Sequence, residues 1–322
     1  MLNPEFLAVV FISAGVYALL AQSVQLQFGY GGLLNFGAVA PMIVAAYTMV
    51  IAIIHFHAPL WLGAVAGLAA AAALGALTAL PAFRLRSIYF GFASIAVAEI
   101  LRALAMNLTP ITGGPIGTVG MLGSSTAAMY NPEWYAFEDS IRAILKPLIG
   151  SLATRNLAMA LIVWVTVLVS VSLLEALVRS PWGRALRSIR EDEDVAAATG
   201  KDVNGIKLAA FVIGAVFAGM GGLMFAWHIS AFAPSDFAPI ISFYAFVIVL
   251  LSGTGRMWAT PIGALLFSFV FTGTRFFEFW PFTLVDSIDR QYVRILMIGV
   301  ILIGIMLFRP QGLFGRRQES LL

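Results

Sequence analysis

Long apolar stretches alternate with short polar stretches along almost the whole chain. A run of about 18 or more apolar residues is typical of a helix that crosses a membrane. Nine stretches approach this pattern, at roughly 6–24, 36–54, 60–80, 88–107, 157–178, 208–228, 241–254, 259–277 and 291–308. The pattern predicts an all-α polytopic membrane protein with 8–10 transmembrane segments, organised as a single transmembrane domain over residues 1–322.

Two longer polar stretches interrupt this pattern. Residues 108–156 begin with a part rich in Gly, Pro, Thr and Ser, which predicts a loop. Their second half, at 137–152, predicts an amphipathic helix on the outer surface. The other stretch, 179–207, carries a cluster of charged residues between two apolar stretches. Gly183 and Gly200 bracket its run from Arg184 to Thr199. That run predicts a short helix outside the lipid, with a solvated loop as the alternative.

Composition and charge fit a membrane protein. The chain is 61% hydrophobic and 11% charged, whereas soluble domains are about 25% charged. The first apolar run has no basic leader, so we expect a retained membrane helix there. The absence of cysteine excludes disulfides and thiolate metal sites. In such a protein an excess of Lys and Arg mainly sets orientation, so the net charge of +3 does not indicate nucleic acid binding.

The basic residues give an orientation. The turns and the terminus that carry the excess all fall on one predicted side, at Arg84, Arg86, 179–207, Arg256, Arg309, Arg316 and Arg317. The positive-inside rule makes that side the cytoplasm. Nine spans then place the N-terminus outside. A broken or re-entrant element at 28–54 would instead move the N-terminus inside.

Glu99 and Arg102 are charged residues inside a predicted span. Glu99 lies eleven residues after Ile88, which at about 1.5 Å per residue is near the middle of the membrane. Arg102 shares its helix face at i+3 and can pair with it. Charges at this depth are rare and are paired or face a cavity. The pair is either a group on a transport path or partner interface, or a structural ion pair.

Two glycine-rich segments are candidates for a substrate path. "FGYGGLLNFGAVAP", at 28–41, places Gly31, Gly32 and Asn35 in an apolar region. Broken helices in transporters often mark the substrate path, although a loop between two ordinary helices is the alternative. "TGGPIG" places Thr112, Gly113 and Gly114 in a turn near the outer mouth, which is either part of the path or simply a turn.

Small residues recur every four positions along 208–228. They are Ala210, Gly214, Ala218, Gly222 and Ala226. This spacing forms one smooth stripe on a helix and favours close packing against neighbouring membrane helices.

The sequence carries no enzyme motif that we recognise. "ATGKD" lacks the upstream glycine and the final Ser or Thr of a phosphate-binding loop, so we expect no nucleotide hydrolysis by this chain. H-E-x-x-H and G-x-S-x-G are also missing. A membrane enzyme is therefore disfavoured.

Several segments resemble one family of transport proteins. "SPWGRALRSIREDEDVAAATGKDVNGIKLAAFVIGAVFAGMGGLMFA" resembles the cytoplasmic coupling region of permeases of branched-chain amino acid ABC importers, and more closely the M-type subunit. "LTPITGGPIG", "VLLSGTGRMWATPIGALL", "AEILR" and "FRPQGLFG" resemble further segments of that family in the same order. Ala38-Val39-Ala40-Pro41 departs from the family pattern, which leaves the substrate open.

The resemblance implies a type II-like ABC importer permease fold in a bacterial cytoplasmic membrane. It implies a second homologous permease subunit, two ATPase subunits and an external substrate-binding protein as partners. This chain would bind no cofactor, and the ATPases would use ATP with Mg²⁺. The substrate would be a branched-chain or related hydrophobic amino acid, with urea or a short-chain amide as the alternative. An ion-coupled carrier with a protonatable Glu99 is the alternative from another class.

The family's coupling motif corresponds to the charged helix. Asp194 and Val195 stand where Glu and Ala are usual, and the remaining positions match. The residues implied to contact an ATPase are Gly183, Arg184, Arg187, Arg190, Glu191, Asp192, Glu193, Asp194, Ala196, Ala197 and Gly200.

Overall fold

In the structure, a computed structural model, helices joined by turns and short irregular segments make up the residues that it describes. These are 4–85, 87–122, 132–150, 153–229, 231–273, 296–297, 299–300, 303–304, 307 and 312–315. The predicted span at 291–308 lies largely outside them, as do Arg86, Arg309, Arg316 and Arg317.

Apolar helices form the membrane region. They are α1 (Pro4–Val24), α2 (Ala40–Phe56), α3 (Leu60–Ala82), α4 (Ser87–Asn107), α8 (Arg155–Arg179), α11 (Val203–His228), α12 (Ile240–Ser252) and α13 (Thr260–Gly273). Six segments of the described residues are long and apolar enough to cross a membrane, one of them α1 with its continuation to Tyr30. The regions of α2 and α13 are shorter. The prediction of an all-α polytopic membrane protein is confirmed.

Shorter helices lie at the two ends of the spans. One end carries α5 (Thr109–Thr112), α6 (Thr118–Leu122) and α7 (Pro132–Ile149). The other end carries α9 (Pro181–Glu191) and α10 (Glu193–Ala198). The amphipathic helix predicted at 137–152 thus begins five residues earlier, because Pro132 suits the first turn of a helix and Glu133 interacts favourably with its N-terminal dipole.

The stripe of small residues on α11 forms the centre of the helix packing. α11 packs against α1, α2 and α3, and Ala210, Ala218 and Ala226 are fully buried. A Cβ on Gly222 would overlap the main chain of Met42 in α2, and its distance to the Met42 Cα would be only 2.8 Å. The predicted use of this stripe for close helix packing is confirmed.

Contacts at the two ends of α1 give the position of the N-terminus. Near its start, Asn156 Nδ2 at the beginning of α8 donates to Glu5 Oε2 at 2.7 Å. Beyond its far end, Arg190 Nη1 of α9 donates to the carbonyl oxygen of Gly29 at 2.6 Å. The N-terminus and the charged segment therefore lie on opposite sides, as the count of nine spans predicts.

A buried carboxyl group holds α7 against the membrane helices. Trp134 stacks on Trp227 with ring centroids 4.1 Å apart, and its Nε1 donates to Glu138 Oε1 at 2.9 Å. The Glu138 side chain is 3% exposed. Burial raises the pKa of Glu138 from its usual 4.5 to about 7, against the opposing effects of the Trp134 hydrogen bond and Arg155.

This pKa predicts that the folded protein becomes less stable as the pH rises from about 5 to about 8. The folded state binds more protons than the unfolded state in this window, so the free energy of unfolding falls with rising pH. Glu138→Gln should flatten this dependence and remove up to about 3 kcal/mol of variation. Thermal unfolding of both proteins at several pH values measures the effect. Equal slopes in the two proteins would contradict the assignment to Glu138.

Candidate translocation path and coupling surface

The chain leaves the α-helical conformation between α1 and α2. Gln25–Tyr30 forms a π-helical turn, and residues 31–39 are not helical before α2 begins at Ala40. π-helical turns are frequent at functional sites. Gly31, Gly37 and Val39 are buried within this interruption. Non-helical backbone at membrane depth is tolerated where protein surrounds it or where it lines a cavity, so the break is more than a solvent-exposed loop.

Polar side chains bind the backbone of this broken segment. The Gly37 N–H lies 3.1 Å from Asn35 Oδ1 and 3.2 Å from Ser94 Oγ of α4. The Val39 N–H donates to Ser242 Oγ of α12 at 2.9 Å. Buried backbone donors need such partners once the helical ladder is interrupted. Side chains from two other spans therefore stabilise the break.

Three glutamines extend the polar cluster along α1 and its π-helical turn. Gln22, Gln25 and Gln27 are at most 2% exposed. Asn35 Nδ2 donates to Gln27 Oε1 at 2.9 Å, and Gln25 Nε2 donates to the Gly253 carbonyl at 3.0 Å. Gln22 Nε2 and Gln25 Oε1 have no hydrogen-bond partner in the described part of the chain. An unpaired buried amide group costs about 1–3 kcal/mol, and these two groups have hydrogen-bonding capacity that no described residue uses.

The charged segment forms two helices instead of the single helix predicted from Arg184 to Thr199. α9 begins earlier, at Pro181, and Gly183 is buried inside it. Asp192 interrupts the helix with φ −157° and ψ 114°, and its Oδ1 accepts from Asp194 N and Val195 N at 2.9 and 3.0 Å. Aspartate is a strong N-cap residue, so this side chain starts α10 at the point where one helix was expected to continue.

The end of the charged segment agrees with the prediction. α10 ends at Ala198, and Gly200 follows with φ +79°. Glycine is favoured in this left-handed position after a helix. Of the two alanines in the coupling motif, Ala196 is buried and Ala197 is exposed.

The arginines of α9 contact the membrane domain of their own chain. Arg190 binds the Gly29 carbonyl, and Arg187 Nη2 donates to the Val178 carbonyl at 2.7 Å. The Arg187 guanidinium also lies 5.8 Å from the Tyr30 ring centroid. The side-chain contacts of Arg184 include the Arg179 carbonyl at 3.2 Å. Arg187 and Arg190 therefore fix α9 to its own membrane domain at the π-helical turn and the end of α8. That these two charges also contact an ATPase stays a prediction.

The acidic residues divide into two groups. Asp192 caps α10, and Glu193 Oε1 accepts from Lys207 Nζ at 2.6 Å, where the Lys207 side chain is 6% exposed. Glu191 and Asp194 are exposed, and neither carboxylate pairs with another described residue. The i,i+4 pairs that a single helix would form, Arg187–Glu191 and Arg190–Asp194, are therefore absent here. Glu191 and Asp194 are the charges left for a partner.

A cavity of about 360 Å³ lies between the broken segment and the charged helices. Gly31 and Gly32 line it from one side, and Arg190, Asp192 and Glu193 line it from the other. Gly32 has φ +68°, and a Cβ there would lie 3.0 Å from Arg190 Cγ. The broken segment, predicted to line a substrate path, and the charged helices, predicted to contact an ATPase, therefore face each other across this cavity.

The Glu99–Arg102 ion pair is present, and it lies away from this place. Arg102 Nε donates to Glu99 Oε2 at 2.9 Å, and Nη2 binds the other carboxylate oxygen. Their side chains are 45% and 22% exposed, on a helix that also exposes Phe92 and Ile100. In the described part of the chain, the pair neither lines the cavity nor joins the hydrogen bonds of the broken segment.

The Thr112 turn is closed on itself. The Thr112 hydroxyl lies 2.6 Å from the Ala105 carbonyl oxygen and 2.8 Å from that of Leu108. Gly113 and Gly114 have φ +74° and +63°, and a Cβ on Gly113 would lie 2.7 Å from the Met121 nitrogen. The hydroxyl and the glycines are therefore used to build the turn, which supports the structural alternative for this segment.

Comparison with known proteins decides between the transport classes. Residues 6–306 match the family described as branched-chain amino acid transport system / permease component. The chain belongs to this permease family. It is 31% identical over 321 residues to a high-affinity branched-chain amino acid transport system permease protein LivM of Escherichia coli, covering 95% of this chain and 69% of the relative. No solved structure matches it.

A more distant relative extends the match. The chain is 21% identical over 352 residues to a probable branched-chain amino acid transport permease protein LivM of Methanocaldococcus jannaschii, covering 97% of this chain and 94% of the relative. The chain is thus a multi-pass permease component of a transport system, as the resemblance indicated. The buried glutamines of the polar cluster were not among the residues predicted for the substrate path, although "QSVQLQ" inside an apolar run is a visible signal.

Proposed function

We propose that this chain is the non-catalytic permease subunit of an ATP-driven importer for branched-chain or related hydrophobic amino acids in a bacterial cytoplasmic membrane. Its partners are a second homologous permease, two ATPase chains and an external substrate-binding protein. The chain itself binds no cofactor, and the ATPases use ATP with Mg²⁺. The named substrates of the relatives support the choice of amino acid over urea or short-chain amides.

One contact carries this proposal, the hydrogen bond from Arg190 in α9 to the Gly29 carbonyl in the π-helical turn. The exposed Glu191 and Asp194 form the surface that an ATPase touches. A movement of α9 acts on the π-helical turn through Arg190, and the turn leads directly into the broken segment. ATPase movement can thereby rearrange the polar groups of Asn35 and Gln27 within the membrane.

The polar cluster suits passage of a zwitterion. An amino acid carries both charges through an otherwise apolar domain, and each needs a polar partner. The amides of Gln22, Gln25 and Gln27 offer both donors and acceptors. The backbone of Gly31 and Gly32 continues this route, since both glycines line the cavity beside α9. The role of Thr112, Gly113 and Gly114 in this proposal is structural, since they stabilise the outer turn.

Assembly tests this proposal. Expression of the chain with its two ATPase chains and second permease should give a complex that elutes as one species from a lipid nanodisc preparation. Conversely, a chain that purifies alone and transports leucine down an ion gradient would support the ion-coupled carrier. The structure disfavours that carrier, because Glu99 is bound by Arg102 on an outward face and not beside the polar cluster.

We expect the Glu99–Arg102 pair to contact the second permease subunit. A charged pair facing lipid is costly, whereas an interface between subunits shields it. Glu99→Ala alone leaves Arg102 unpaired and should weaken association of the permeases by about 2–5 kcal/mol. The double variant Glu99→Ala/Arg102→Ala should lose less. Association of the two labelled permeases in nanodiscs measures both, and equal association of all three proteins would place the pair in lipid.

A further inference from the structure

A second cavity opens at the end of the membrane domain opposite the charged helices. Its volume is about 550 Å³, within the range of about 300–1,000 Å³ for small-molecule sites. α1, α2, α11, α12 and α13 contribute to its wall. His228, the last residue of α11, and Asp236, in the turn before α12, place it on the outer side.

The lining of this outer cavity is mostly apolar. Nine of its fourteen residues are apolar, among them Ile12, Val16, Phe237 and Ile241. The polar residues are few: Ser13, Tyr17, His228, Asp236 and Thr272. An apolar pocket with a small number of polar groups is the usual form of a small-molecule site.

Asp236 and His228 indicate which kind of ligand suits the cavity, because one accepts hydrogen bonds and the other can donate one. Asp236 is exposed, and its Oδ2 accepts from the Ala233 N–H at 2.8 Å. A carboxylate has further acceptor capacity, which suits an ammonium group. The His228 imidazole can donate to a carboxylate. A ligand with an ammonium, a carboxylate and an apolar side chain suits Asp236, His228 and the apolar wall respectively. Urea carries neither a charge nor an apolar group.

The floor of the outer cavity adjoins the broken segment. Met42 in the wall lies three residues after Val39, and Ile241 directly precedes Ser242. Val39 N–H and Ser242 Oγ are hydrogen-bonded to each other. A ligand in the cavity therefore contacts α2 and α12 next to the hydrogen bond that joins the broken segment to α12.

We propose that this outer cavity is a transit site for the zwitterion of a branched-chain amino acid, with Asp236 binding its ammonium group and His228 its carboxylate. The site receives the amino acid on the outer side before the broken segment moves. The assignment rests on the proposed function, since it takes the amino acid as the substrate.

The absence of cysteine from this chain makes the test direct. Ser13→Cys places one thiol in the cavity wall, and Thr272→Cys repeats the measurement from α13. The rate at which a charged thiol reagent labels this chain is followed in the assembled complex with its binding protein. Leucine should slow labelling at either position. Ser140→Cys, on the exposed face of α7, is the control that leucine should leave unchanged.

Asp236→Asn in the Ser13→Cys background tests the charge. Asparagine keeps an oxygen for the Ala233 N–H, so the turn is retained while the charge is lost. The leucine concentration for half protection should rise about tenfold, the effect of losing one charge-assisted hydrogen bond. Asp139→Asn, the same change on the outer surface, should not alter it.

Two outcomes overturn the transit site separately from the proposed function. Leucine uptake by the complex without protection of either thiol, or with an unchanged half-protection concentration in Asp236→Asn, removes the site and leaves the importer. Import of urea instead of leucine removes the proposed substrate and this site together.

Discussion

Reversing Glu191 and Asp194 to lysine is expected to abolish assembly with the ATPases and uptake, while the membrane helices remain folded. Both side chains are exposed, and neither pairs within the described part of the chain. They belong to α9 and α10, on either side of the Asp192 cap. A charge pair buried at an interface loses about 2–5 kcal/mol when one partner is removed, and reversal adds repulsion. Co-purification and uptake measure the two consequences.

The structure restricts this experiment to two acidic residues. Reversing all of 191–194 would also remove the Asp192 cap and the Glu193–Lys207 pair, so misfolding would be mixed with loss of binding. The control is Asp139→Lys on the outer helix α7, which should assemble and transport normally. Asp139 pairs with Arg155, but both side chains are about half exposed, and exposed ion pairs contribute little to stability. Glu133 and Glu138 are unsuitable controls, because one accepts from the Leu60 N–H and the other is buried. Normal assembly of the Glu191→Lys/Asp194→Lys protein would contradict the account.

Replacing Gly222 with alanine is expected to cause a large loss of stability. A Cβ at this position overlaps the backbone of Met42, and main-chain atoms cannot swing aside as a flexible side chain can. Overpacking of this kind costs about 1–3 kcal/mol and occasionally more. For a protein of this size the melting temperature should fall by roughly 2–10 °C.

Gly299→Ala is the matched control for this prediction. Gly299 is also helical, and nothing lies within 4 Å of a Cβ built there. Thermal unfolding of both variants in the same lipid nanodiscs separates the effect of the contact from the effect of the residue type. Equal melting temperatures for the two variants would show that α2 and α11 do not approach as closely as described.

Periodicity and length were sufficient to predict the apolar helices of the membrane region. Apolar runs near 20 residues have few alternatives in a membrane, because every backbone polar group must be satisfied internally. The stripe at Gly214 and Gly222 was readable for a similar reason, since only small residues allow helices to approach closely. Both features depend on local sequence alone.

The contacts between distant residues could not be predicted in this way. The sequence shows that Arg190 is charged, but not that Gly29, 161 positions away, offers it a carbonyl oxygen. That acceptor is available because Gly29 lies in the last turn before the helix ends at Tyr30, where carbonyl oxygens lack a partner within the helix. Asp192 was assigned to a helix interior, although its preference for N-cap positions competes with helix continuation. The outer cavity is likewise formed by five separate helices.

Uptake of labelled leucine into proteoliposomes tests the central claim most directly. The complete complex is reconstituted with its binding protein at the outer face and ATP enclosed at the face of α9 and α10. We predict uptake that requires hydrolysable ATP, persists when ionophores collapse all ion gradients, and is lost in the Glu191→Lys/Asp194→Lys protein. Uptake that proceeds without ATP and stops on addition of ionophores would contradict the account.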